Sequence, residues 1–167
     1  MDRGKIKDWA ESVSELALIA KRYPQAAYAG LQKSLQQEWQ FLQQVTEGLG
    51  NEFSKIALEL SYTFLPALFG VESVSDTQRQ LASLPVKFAG LAIPYPTKTA
   101  ERNWSASTLI CGHIIAAIRG TTIYRLADHL SVLKSGRAKL RKRSQVRSEA
   151  EMNTILVSTP VGESRTI

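Results

Sequence analysis

Between residues 5 and 23, Ile6, Trp9, Val13, Leu16, Ala20 and Tyr23 recur at intervals of three or four, while Lys5, Lys7, Asp8, Glu11 and Lys21 lie mostly off that stripe. This pattern predicts an amphipathic helix. Pro24 punctuates it, since proline disfavours helical dihedrals at Tyr23 but can open a new helix itself. The run from 23 to 49 is the longest uninterrupted helical pattern in the chain. Tyr28, Leu31, Leu35, Leu42, Val45 and Leu49 make its apolar stripe, with Glu38 beside Trp39 taking one slot. Gln32, Gln36, Gln37, Gln40, Gln43 and Gln44 are expected on its outer face, because glutamine favours helix without adding charge. The short Tyr23-Pro24 connection predicts an antiparallel pair. Gly48 and Gly50 end the second helix as C-cap glycines do.

A third helix is expected from Glu52 to about Phe64, with Phe53, Ile56, Ala57, Leu60 and Phe64 inward. Pro66 bends or restarts it and Gly70 stops it. Ser75-Asp76 caps a short fourth helix, Thr77 to Ser83, which ends before Pro85. The stretch from Val86 to Pro96, with Gly90 and prolines at 94 and 96, reads as an irregular, partly buried loop. A long fifth helix starts at Thr97 or Thr99 and reaches Ile118, its buried side marked by Ala100, Trp104, Ser107, Cys111, Ile114, Ile115 and Ile118. Gly120 closes it, and Thr121 or Thr122 caps a sixth helix to about Leu133.

From Lys134 the pattern changes. KSGRAKLRKRSQVR holds seven cations, Lys134, Arg137, Lys139, Arg141, Lys142, Arg143 and Arg147, and no acid. Only Leu140 and Val146 are apolar, so little holds this segment to a core, and an exposed, fraying extension is expected. The end, Ser148 to Ile167, is expected to be disordered. The reading is therefore an all-α chain: an irregular bundle of about six helices over residues 1–133, the first three packed up-down-up, then a basic extension and flexible tail over 134–167.

Charge sharpens this division. The net charge is +6. Removing the seven cations of the tail from the 21 Lys and Arg leaves 14 against 15 acids, so the rest is close to neutral. The positive charge is one local patch, able to bind DNA or RNA phosphates without sequence preference. The seven cations are the candidate nucleic-acid contacts. They lack interleaved aromatics for base stacking. They also lack the apolar face needed to lie on a membrane. The longest apolar run, Ala106 to Ile118, is too short to cross a bilayer. The single cysteine and the charged N-terminus, with no secretory h-region, fit an intracellular protein of nucleus or cytoplasm.

No catalytic centre is legible. Cys111 and His113 are two apart on a predicted helix and face apart, His129 stands alone, and no CxxC or HExxH is present, so no metal or other cofactor is expected. Two histidines and no G-x-S-x-G give no nucleophile-base pair. Phosphate-loop glycine motifs and paired carboxylates are missing too.

Four segments carry a resemblance. Pro24-Gln25-Ala26-Ala27-Tyr28-Ala29-Gly30 with Ser34-Leu35 and Glu38-Trp39 comes first. Phe64-Leu65-Pro66-Ala67-Leu68-Phe69-Gly70 follows, then Leu84-Pro85 with Gly90-Leu91-Ala92-Ile93 and Pro96, then the helix from Thr97 to Ser107. In order and spacing the series, within roughly residues 9–133, resembles the helical region downstream of the reverse transcriptase domain in eukaryotic retrotransposon polyproteins. The resemblance implies an accessory, non-catalytic helical module beside a polymerase. The catalytic carboxylates of such a polymerase lie in a Tyr-x-Asp-Asp-type motif that this chain does not contain. The basic tail departs from the pattern, so a truncated fragment is expected, with an apolar surface open to self-association. The alternative is a free-standing helical domain for protein interaction or nonspecific nucleic-acid binding.

Overall fold

The computed structural model describes residues 3–158. It is all-α, with six helices and no strand among the described residues. Helix α1 is Arg3–Ala20. Helix α2 consists of Pro24–Gly30, a π turn at Leu31–Leu35 and Gln36–Val45. Helix α3 consists of Ser54–Glu59, a second π turn at Leu60–Phe64 and Leu65–Phe69. Helices α4, α5 and α6 are Asp76–Ser83, Pro96–Ile118 and Leu126–Ser158.

The first three helices make the expected up-down-up unit. Pro24 sits in the first turn of α2 and reverses the chain after α1. Trp9 Nε1–H, near the start of α1, donates to Glu38 Oε2 in the second half of α2 (2.9 Å), which fixes the antiparallel register. Leu65–Phe69 of α3 packs on Pro24–Gly30, so α3 runs back alongside α1. The core is Trp9, Val13, Ala17, Leu31, Trp39, Phe53, Ile56, Leu60, Phe64 and their neighbours.

The π turns explain how the core stripe stays on one side. Ala27, Leu31, Leu35, Trp39 and Gln43 are all buried and all four apart. In a regular helix each step of four advances the side chain by about 40° past a full turn, so five such positions would wind around the rod. Underwinding at Leu31–Leu35 removes part of that drift. Leu60–Phe64 does the same for Ile56, Leu60 and Phe64. It also carries the helix through Pro66, whose missing N–H would otherwise break it. Gly70, with φ of 68°, then ends α3, and Val71 N–H closes on Pro66 O (3.0 Å).

Several expectations need correcting. Tyr23 and Val45 are exposed rather than in the apolar stripe. The glutamine face of α2 is not an outer face. Gln36 and Gln43 are buried and Gln32 and Gln40 half-buried; only Gln37 and Gln44 face solvent. The irregular segment after α4 lies on this face, and its carbonyls need donors that glutamine amides supply. Gln32 Nε2 donates to Leu91 O and Ala92 O (both 2.8 Å), Tyr28 Oη to Leu91 O (2.7 Å) and Gln36 Nε2 to Ala92 O (3.3 Å). Gln43 Nε2 donates to Pro96 O (2.9 Å), while its Oε1 accepts from Thr99 Oγ1 (2.9 Å) and Asn103 Nδ2 (2.8 Å).

The segment they hold is irregular, as expected. It has a 3-10 turn at Val86–Phe88 and left-handed backbone at Ala89 and Ala92. Gly90 is packed so closely that a Cβ there would lie 2.1 Å from Leu84 O. Buried Arg79 of α4 pins the segment from the other side. Its guanidinium donates to Ile93 O (2.9 Å), Pro94 O (3.4 Å) and Ser61 Oγ (3.0 Å), and lies 3.9 Å from the Tyr95 ring centroid. Ser75 caps α4 in a full capping box with Gln78.

The fifth helix is buried only at its start, at Pro96, Thr99 and Ala100. At 23 residues it is about 35 Å long and outruns the bundle. Its distal half packs against α6, with Leu109 and Ile110 on Gly136 and His113 on His129. Of the expected inner side, Trp104, Ser107, Cys111 and Ile114 are half-buried, Ile115 is at the margin of exposure and Ile118 is fully outside. Gly120 closes α5 as expected, with Thr121 N–H on Ala116 O (3.0 Å). The sixth helix begins at Leu126 rather than at a threonine cap, and it does not stop near Leu133. It runs 33 residues to Ser158, through the expected domain boundary and into the segment expected to be disordered. Residues 159–167 of that segment lie outside the described residues. Lys, Arg, Ala, Leu, Gln and Glu make α6 a good helix former. Gly136 lies against the Leu109 and Ile110 side chains, and Ser148 and Ile155, two turns apart, are buried further on. No described helix is long and apolar enough to cross a membrane.

Candidate nucleic-acid interface

The seven cations expected in a tail are carried on α6, and all are exposed. Helical spacing sorts them into two rows. Lys139, Arg143 and Arg147 are four apart, as are Arg137 and Arg141, with Lys134 three before Arg137; Lys142 lies between the rows. Like charges at this spacing destabilise a helix by a few tenths of a kcal/mol per pair. None of the seven makes an ion pair among the described residues, where the ion pairs are Lys5–Glu38 and Lys7–Glu11. The segment from 134 to 147 is about 20 Å long and holds no acid. Its charge is therefore open to an external anion.

The row of Lys139, Arg143 and Arg147 leads into a cleft of about 520 Å³ bounded by α2, α4, α5, α6 and the irregular segment. Arg147 lines it from α6, and Lys98 and Arg102 line it from the first turns of α5. Arg102 Nε donates to Lys98 O (2.8 Å). Burial lowers the pKa of the Arg102 guanidinium, Arg147 lowers it further, and Glu151 opposes them. Arginine remains charged at neutral pH despite such a shift. Glu151 is the one carboxylate on the cleft wall. Gln36 also lines it; its Oε1 is buried and has no hydrogen-bond partner among the described residues. Lys98 and Arg102 escaped the sequence reading because TKTAERNW mixes signs and shows no local excess of charge. Only the crossing of α6 over α5 brings them to Arg147.

The residues considered for other chemistry lie elsewhere. At the far end of the α5–α6 hairpin, the rings of His113, Tyr124 and His129 cluster with centroids 5.9 to 6.2 Å apart. His129 thus stacks on His113 rather than standing alone. Among the described residues no three His, Cys, Asp or Glu side chains converge as metal ligands would. The chain matches no known protein family, and no curated protein or solved structure is significantly similar to it.

Proposed function

We propose that this chain is a non-catalytic helical module that contacts the phosphate backbone of DNA or RNA through α6. The observation that carries the reading is the set of seven exposed cations, none ion-paired among the described residues, on one continuous helix. A rigid rod presents those charges at fixed spacing and loses less entropy on binding than a disordered tail would. The four-segment resemblance supports a finer form, an accessory region beside the polymerase of a retrotransposon polyprotein. The buried glutamine face of α2 is engaged within the bundle and leaves α6 as the surface for a polymeric anion.

The test is fluorescence anisotropy with duplex DNA and single-stranded RNA of unrelated sequences. The full chain is compared with a variant carrying glutamine at 137, 141, 143 and 147, a change that preserves helix propensity. The reading expects comparable affinity for unrelated sequences and a large loss of affinity in the variant. Undiminished binding by the variant would refute it.

A second reading, self-association, is favoured by Ile118, Ile123, Leu126 and Leu130, which stand exposed together around the hairpin end. Patches of this kind mark contact surfaces. Sedimentation velocity across a hundredfold concentration range tests it, and a constant monomer would exclude it.

A further inference from the structure

The cleft beneath α6 holds two cations, Lys98 and Arg102, that contact along the outside of that helix does not use. Three cations, Lys98, Arg102 and Arg147, face one carboxylate, Glu151, which leaves two positive charges. None of the four is ion-paired among the described residues. The rest of the wall is rich in amides and hydroxyls, including Gln36, Gln80 and Thr99. Its volume lies within the range of small-molecule sites.

We propose that this cleft binds the phosphate monoester of a nucleotide, either free or at the end of a nucleic-acid strand. A phosphate monoester carries about −1.5 to −2 charge at neutral pH, which matches the excess on the wall, whereas an internal diester carries half of that. Arginine pairs with phosphate bidentately, and the two guanidiniums approach from different helices, Arg102 from α5 and Arg147 from α6. The wall's amides and hydroxyls suit the sugar and the polar edge of a base, and its Tyr95, Pro94 and Ile155 suit the base's apolar faces. Gln36 also stands on this wall, its Nε2 committed to Ala92 O and its Oε1 buried without a partner among the described residues. Because Arg147 also ends the row of Lys139, Arg143 and Arg147, a strand lying along that row can place its end beside the cleft. The strand-end form rests on the nucleic-acid reading; the free-nucleotide form does not.

The test measures a preference for phosphate. Oligonucleotides of one sequence, with a phosphate at the 5′ end, at the 3′ end or at neither, are titrated against the full chain. Adenosine 5′-monophosphate and adenosine are titrated separately by calorimetry. The expected result is a preference of at least about tenfold for a phosphorylated end, for the monophosphate over adenosine, or for both. Arg102→Gln and the exposed-site variant Lys98→Gln each reduce that preference about tenfold, and both leave binding to closed circular duplex DNA unchanged. If no oligonucleotide binds while the monophosphate binds in an Arg102-dependent way, the α6 reading fails and the cleft stands. If no preference is seen in either format, or if both variants retain it, the cleft proposal is wrong.

Discussion

Replacing Gln43 by leucine tests whether the glutamine face of α2 holds the fold together. The side chain is fully buried and makes three hydrogen bonds, donating to Pro96 O and accepting from Thr99 Oγ1 and Asn103 Nδ2. Leucine is close in volume and cannot make any of them. At about 1 kcal/mol net per bond the loss is about 3 kcal/mol. The Thr99 hydroxyl, freed from Gln43 Oε1, can give its one proton to Pro96 O (3.0 Å), so that carbonyl is not orphaned, and half-buried Asn103 Nδ2 faces the open cleft, where water can meet it. Burying an apolar side chain in place of the amide returns about 1 kcal/mol. The expected net destabilisation is about 2 kcal/mol, a fall in Tm of about 4–8 °C for a chain of this size. Gln37→Leu is the control, since Gln37 is exposed and its one side-chain bond, to Gln32 O, is at the surface. It should stay within about 0.5 kcal/mol of the parent. Urea unfolding followed by circular dichroism reads both. Equal, near-zero effects at 43 and 37 would refute the internal role.

Other predictions follow from the same packing. Gly90→Ala would place a Cβ 2.1 Å from Leu84 O and should cost about 3 kcal/mol or more, whereas Gly112→Ala meets nothing within 4 Å and should stabilise α5 by about 0.5–1 kcal/mol, both read by thermal melts. Ser75→Ala removes one half of the capping box on α4 and should cost about 1 kcal/mol in urea unfolding. Ala89→Gly relieves a left-handed alanine on the surface and should leave stability unchanged or raise it by up to about 1 kcal/mol, measured the same way.

The parts of the fold that were legible in the sequence are those set by local chemistry. Pro24, Gly70, the Ser75 cap and Gly120 each act within a few residues, and their effects can be read from a short window. The α1 stripe, from Ile6 to Ala20, is likewise a single amphipathic face. What the sequence concealed depends on partners far along the chain. Gln36 and Gln43 look like surface residues until the carbonyls of 91–96 are placed beside them, about 55 residues away. The α6 helix shows no apolar stripe because it is held at separate points, Gly136 on α5 and Ser148 and Ile155 two turns apart, rather than along a face. Periodicity cannot register such anchoring. The seven cations were visible as a cluster, but that a helix carries them was not. Lys98 and Arg102 became part of a site only through the path of α6.

The salt dependence of binding to a duplex tests the central proposal most directly. About half of the seven cations can face one duplex at a time, so three or four phosphates would be neutralised, and log K should fall against log[salt] with a slope of about −3. Between 50 and 200 mM salt the affinity should then drop about 60-fold, alike for unrelated sequences. The variant with glutamine at 137, 141, 143 and 147 should bring the slope to about −1. A slope near zero in the parent chain, or one unchanged in the variant, would contradict the assignment of α6 as a phosphate-contacting helix.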